Sequence, residues 1–258
     1  TGLAPAHLDR YKTLAAAGKD IFSLAKYLKG KHVYVNGESE PVKDFIQKDY
    51  KVYDQSGALG WKVHDVKLSI EGTEFALKKN KKELKLTTSL LGRHQLGPLS
   101  LAVALAHEFG LSDEAIVAGV AKTKPFEHRM QPYELNGAWV IDDTYNGNIE
   151  GIRAGTELLK ELPAKKKIYV TPGLVDQGPE TEKVHIQMGE LIAAAKPDVV
   201  ILMQNSVTDY IKSGLKSKDF PGELKIESNP LEFYLNLKHI AAAGDLIMLQ
   251  NDWPDNYA

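Results

Sequence analysis

Residues 140–155 read VIDDTYNGNIEGIRAG: an apolar run ends in Asp142 and Asp143, is followed by Thr144, Tyr145, Asn146 and Asn148, and passes straight into a helical pattern. Paired carboxylates and carboxamides at the end of a strand can accept hydrogen bonds from ribose hydroxyls, and a helix N-terminus beside them favours an anion. The plain alternative is punctuation. For Asn148 alone, capping the following helix is the stronger reading. The density of polar groups at this one strand end favours a binding site.

Other candidates carry less on their own. The stretch 171–182, TPGLVDQGPETE, reads as a loop joining a strand to a helix. His7 stands beside Asp9 and Arg10 but has no HxxxH or HExxH partner, so spacing alone does not make it a metal ligand. GRHQ at 92–95 opens a long helix. Arg129, in EHR at 127–129, sits where it can reach a phosphate between domains or simply solvate a linker. A P-loop needs GxxxxGK followed by Ser or Thr; Gly18 and Lys19 have Thr13 and Asp20 at the required flanking positions, and Gly30 and Lys31 fail likewise. GxSxG, GxGxxG and zinc-ligand spacings are absent too.

Elements that could position these groups follow from periodicity. Thr13 to Leu28 has apolar residues at helical spacing and predicts a helix stopped by Gly30. HVYVN, YKVYD, VKLSIEG, EFALKK and ELKLTT alternate and predict strands, the last three as a meander. A helix is expected from Gln95 to Phe109 and another from Ser112, its N-cap, to Val120. Proline in KTKPFEHRM marks a domain boundary near residue 125, which gives domains 1–124 and 125–258. Beyond it strands and helices alternate: AWVID, IEGIRAGTELLKEL, KKIYVTPG, ETEKVHIQMGELIAAA, DVVILMQ, VTDYIKSGL, ELKIES, PLEFYLNLKHIA and DLIMLQ. That rhythm predicts a parallel sheet covered on both faces, a doubly wound α/β domain.

Composition narrows the class. A net charge of -2 over 258 residues advertises no nucleic-acid surface. The absence of cysteine excludes disulfides, thiolate metal sites and cysteine nucleophiles, and fits a reducing compartment. No apolar run is long enough for a membrane span, and the N-terminus lacks a signal-peptide core, so the expected location is cytoplasmic.

Taken in order, several segments resemble the Mur ligase family, most closely its branch that adds D-alanyl-D-alanine. APAHLDRY looks like the loop after a central-domain strand. GTEFAL and GRHQLGPLSLAVALAHEFGLSDEAIVAGV look like the end of the ATPase domain, and EHRMQ like the interdomain junction. VIDDTYNGNIEGIRAG is similar to the family's DDxYNANP segment, and PGLVDQGPETEKVHIQMGEL to the G-D-M-x-E-L-G loop and helix. The resemblance implies the end of a P-loop-type central domain followed by a Rossmann-like C-terminal domain. The chain would then begin partway through the central domain, with the P-loop and a UDP-sugar-binding domain outside it.

The implied chemistry is ATP-dependent amide ligation: a UDP-sugar peptide carboxylate, activated as an acyl phosphate, is attacked by an amino acid or dipeptide amine. By resemblance His7 would ligate Mg2+, Arg129 would approach the phosphates, and Asp143 would hold the ATP ribose. Tyr145, Asn146 and Asn148 would line the cleft. Gln95 stands where the family has an asparagine that contacts adenine. The family's often carbamylated lysine, counted back from DIF, falls on Gly18, with Lys19 beside it. The family's late K-G-S segment is replaced by QNDWPDNY. A folylpolyglutamate-synthase-like or cyanophycin-synthetase-like ligase, or a non-catalytic module that binds a nucleotide or a protein, are the competing expectations.

Overall fold

The computed structural model describes residues 3–4, 8–28 and 32–250. They fall into two compact units that divide between Lys124 and Pro125.

Two short helices open the chain, α1 (Leu8–Tyr11) and α2 (Leu14–Phe22). Thr13 caps α2, its hydroxyl accepting from the Ala16 N–H at 3.1 Å. The helix predicted to reach Leu28 tightens after Phe22 into a 3-10 turn, Ser23–Tyr27. Packing explains the change: Phe22 stacks on Phe45, whereas Leu24 and Tyr27 are 65% and 71% exposed and bury no apolar face that would sustain further α-helix.

The first sheet runs β1 (Tyr34–Asn36), β2 (Lys51–Asp54), β3 (Gly57–Ala58), β4 (Trp61–Ser69), β5 (Gly72–Lys79) and β6 (Lys82–Thr88), neighbours in that order. Only β1 and β2 pair in parallel; the rest is an antiparallel meander. The expected meander of β4, β5 and β6 is present, but β4 starts at Trp61, well before Val66, and β3 was not foreseen. Helices α3 (Leu96–Glu108) and α4 (Asp113–Ala121) cover this sheet, with Trp61, Leu77, Leu86, Leu96, Val103 and Ile116 in the core. Ser112 caps α4 by accepting from the Ala115 N–H at 3.2 Å.

The second unit contains β7 (Gln131–Leu135), β8 (Ala138–Asp143), α5 (Ile149–Glu161), β9 (Lys166–Thr171), α6 (Thr181–Ala195), β10 (Val199–Met203), α7 (Thr208–Ser217), β11 (Glu223–Glu227), α8 (Pro230–Leu235), α9 (Leu237–Ile240) and β12 (Asp245–Gln250). The strand order is β11-β10-β9-β12-β8-β7. From β8 to β11 every neighbouring pair is parallel, as the alternation required. Successive crossovers from β8 to β11 advance in one direction, so α5, α6 and α7 share a face, and the return to β12 puts α8 and α9 on the other. Phe233 and Leu237 there pack on Val140, Ile168, Ile201 and Ile247.

Two features depart from the expected pattern. β7 is an antiparallel edge strand added to the otherwise parallel sheet. Its Pro132 has no N–H for a ladder and masks the strand in the sequence, yet is tolerated at an edge. The joining turn, Asn136 and Gly137, has φ of 51° and 77°, the left-handed pair of a two-residue hairpin. The last predicted helix is split at Asn236, whose side-chain amide donates to the Glu232 carbonyl at 2.9 Å and competes with the helical ladder.

Candidate functional site

Parallel sheets gather ligands at the carboxyl ends of their strands. The end of β8 is where the polar cluster lies, and it is knitted to the segment that leads into β7. The Asp142 carboxylate accepts from the Thr144 N–H at 3.2 Å and hydroxyl at 2.7 Å through Oδ1, and its Oδ2 lies 2.8 Å from His128 Nδ1. Asp143 accepts from the Met130 N–H at 3.2 Å through Oδ1 and from the Gln250 side-chain amide at 3.0 Å through Oδ2. Arg129 donates through Nη1 to the Asn146 carbonyl at 3.0 Å, and the Tyr145 N–H donates to the His128 carbonyl at 3.3 Å.

Burial pushes the Asp143 carboxyl above its ordinary range, opposed by the hydrogen bonds from Gln250 and Met130 and by the Arg129 charge. An ionised carboxylate offers about four acceptor positions, so two internal donors leave room for ligand hydroxyls. His128 is raised, first by its hydrogen bond to Asp142. Asn146 and His128 both adopt left-handed backbone, with φ of 49° and 59°, which turns the chain back on itself on each side of the knot.

Asn148 caps α5: its Oδ1 accepts from the Glu150 and Gly151 N–H groups, both at 3.0 Å. The punctuation reading therefore describes its side-chain oxygen. Tyr145 is 57% exposed and Arg129 is exposed too, with the guanidinium carbon 5.0 Å from the ring centroid.

The other expected residues lie in the first unit or outside the described residues. Gln95 belongs to the 3-10 turn Arg93–Gln95 before α3, and its Nε2 is 2.9 Å from Nε2 of His94. Burial lowers the His94 pKa to about 4, so the imidazole is neutral and accepts from Gln95. Lys19 is exposed on α2. A Cβ on Gly18, the register position of the family's lysine, would lie 2.4 Å from the Phe45 ring and 2.9 Å from Leu3, so that face of the helix is closed by packing. His7 lies outside the described residues. Among the described residues no group of three His, Asp or Glu side chains could hold a metal ion.

Gln250 was missed as a site residue. It is 2% exposed at the end of β12, its Nε2 donating also to the Gly151 carbonyl at 2.6 Å and its Oε1 accepting from the Tyr169 hydroxyl at 2.9 Å. The glycines Gly151 and Gly155, one helical turn apart, were its only signal in the sequence: a Cβ on Gly155 would lie 2.3 Å from the Gln250 amide.

The knot of β8 and the 126–131 segment is thus a built feature of the second unit, and residues 128–250 match the family described as Mur ligase, glutamate ligase domain. The second unit is similar to the Mur ligases. Its match takes in Arg129, the aspartate pair and Gln250. The chain is 28% identical over 209 residues to the UDP-N-acetylmuramoyl-tripeptide--D-alanyl-D-alanine ligase of Escherichia coli, covering 77% of this chain and 45% of that protein. It is similar in fold to a MurF ligase from Thermotoga maritima in complex with ADP, with TM-score 0.79 and 17% identity over 97% of this chain and 57% of that one. A MurF from Acinetobacter baumannii superposes with TM-score 0.77 and 18% identity over 97% of this chain and 55% of that one. The chain therefore spans about half the length of the Mur ligases it matches. Its α/β architecture with two sheets is theirs.

Proposed function

We propose that this chain is the rear part of a peptidoglycan-precursor ligase: residues 1–124 as the end of the ATPase domain and 125–258 as the C-terminal domain. The reaction is ATP-dependent joining of a UDP-MurNAc-peptide carboxylate to the amine of D-alanyl-D-alanine or a related amino acid. The observation that carries the reading is the partly buried Asp143 at the carboxyl end of β8, held by Met130 and Gln250 with acceptor capacity to spare. In this reading Asp143 receives ribose hydroxyls, Arg129 meets phosphate, and Tyr145 and Asn146 contact the nucleotide beside them. Asn148 fixes the start of α5. ATP supplies the activation that turns a poor carboxylate electrophile into an acyl phosphate. His7 would bind Mg2+ and Lys19 would serve as the catalytic lysine.

The test is ligation by the natural protein that contains these residues. With ATP, Mg2+, UDP-MurNAc-tripeptide and D-alanyl-D-alanine, the expected result is ADP release together with a new amide product by mass spectrometry. Nucleotide binding with no amide product for any of the amine substrates would replace this reading with the second one, a non-catalytic nucleotide- or protein-binding module. The packing of Phe45 against Gly18 favours that second reading, because it closes the face from which the family's lysine would project.

No helix among the described residues is long and apolar enough to cross a membrane. The substrates of this reading are accordingly met without a helical span in these residues.

A further inference from the structure

Gln250 ends β12, a strand hydrogen-bonded between β8 and β9, so its side chain reaches elements distant in sequence. Both amide hydrogens are committed, to Asp143 Oδ2 at 3.0 Å and to the Gly151 carbonyl at 2.6 Å, while Oε1 takes the Tyr169 hydroxyl at 2.9 Å. The orientation of the amide is thereby fixed. Turned over, its oxygen would face a carboxylate oxygen and a carbonyl oxygen, with acceptor set against acceptor twice. A buried amide with every group satisfied is a rigid strut. Gly155 keeps the space for it open, since any side chain there would strike the amide.

We infer that Gln250 is a positioning residue, which holds the Asp143 carboxylate as an acceptor aimed out of the carboxyl end of β8 and so governs how that carboxylate meets a ligand hydroxyl. The functional half of this inference rests on the ribose role proposed for Asp143. The structural half does not. Met130 fixes one carboxylate oxygen and Gln250 the other, so the plane of the carboxylate is set by both. Without Gln250 the group keeps a single internal donor and is free to rotate about its remaining hydrogen bond.

Two measurements on the full chain test it. The first is a 13C NMR titration of the Asp143 carboxyl in the unsubstituted chain, in Gln250→Met and in Gln250→Glu. Loss of a donor to the charged form raises a carboxyl pKa, and a second carboxylate at the same place raises it further. The Asp143 resonance therefore titrates at higher pH in both variants, and Gln250→Glu preserves the bond to Tyr169 should Gln250→Met fail to fold. Titration at an unchanged pH in a folded variant overturns the inference. The second is ADP affinity by calorimetry. Gln250→Met and Asp143→Asn each weaken ADP about tenfold, the scale of one charge-assisted hydrogen bond, and the double variant is no weaker than Asp143→Asn alone. Full additivity of the two losses overturns the inference. A shifted titration with ADP affinity that neither substitution alters, or with no ADP binding at all, leaves the strut standing and removes the ribose role from Asp143.

Discussion

The guanidinium of Arg129 lies over the ring of Tyr145, 5.0 Å from its centroid, while the same side chain donates to the carbonyl of Asn146. One cation thus holds both the ring and the left-handed turn that follows it. The pair is exposed, so its worth to the fold is small, on the order of 0.5–1 kcal/mol for a cation over a ring in water.

Replacing Arg129 with Ala should accordingly lower stability by about 1 kcal/mol or less. Under the proposed function it should reduce ATP turnover much more. Parallel thermal melts and ADP-release assays check the split; a variant that melts early yet keeps its turnover per folded molecule would assign Arg129 to the fold alone.

Asp143→Ala should cost stability as well as ligand binding. Read as a strand end alone, the substitution should spare folding; with the Met130 N–H and the Gln250 amide buried against the carboxylate, it leaves donors unpaired at roughly 1–3 kcal/mol. Urea denaturation should show that loss, and Asp143→Asn, which keeps an oxygen for one donor, should show less.

His128 is held above the ordinary histidine value of about 6.5 by the Asp142 carboxylate. A raised folded-state pKa means that the stabilisation is fully present below the unfolded value and fades as pH rises through the folded one. The imidazole is half exposed, so the effect on stability is small and is best read directly. In a proton NMR titration the His128 midpoint should lie above that of a free histidine and fall back in Asp142→Asn. Identical midpoints in the two chains would remove the pair.

Two helical glycines should respond with opposite signs. A methyl on Gly155 would lie 2.3 Å from the Gln250 amide, and Gly155→Ala should cost about 1–3 kcal/mol through forced displacement. Gly119, exposed on α4, has nothing within 4 Å of such a methyl. Gly119→Ala should stabilise by up to about 1 kcal/mol by restricting the unfolded chain. Denaturant midpoints of the two variants decide it, and equal shifts would contradict the packing around Gln250.

What could be read from the sequence was local. Ser112, Thr13 and Asn148 act within a few residues of themselves, so their caps are visible in a string of letters. The alternation after residue 137 gave β8 to β12 because a buried parallel strand and an amphipathic helix write different periods. β7 was hidden by Pro132, although the Asn136-Gly137 dipeptide before an apolar run was a usable hairpin signal. Long-range partners were out of reach: nothing local ties Gln250 to Asp143, 107 residues apart, or His128 to Asp142 across the hairpin. The resemblance drew attention to QNDWPDNY as the replacement of a K-G-S segment, whereas the structure makes its first residue, Gln250, a strut.

The place of β12 also bears on how the second unit is made. The last strand among the described residues, β12, inserts between β8, the second strand of the unit, and β9. During synthesis β9, β10 and β11 can assemble in sequence, but β8 and β9 have no common ladder until β12 arrives to pair with both. Until then the sheet is two separate pieces with open edges, and such edges invite pairing with other chains. Through that interval Asp143 keeps only its bond from the Met130 N–H and lacks the one from Gln250. A nascent chain of this unit therefore joins the two pieces of its sheet and completes the support of Asp143 together, once β12 is made.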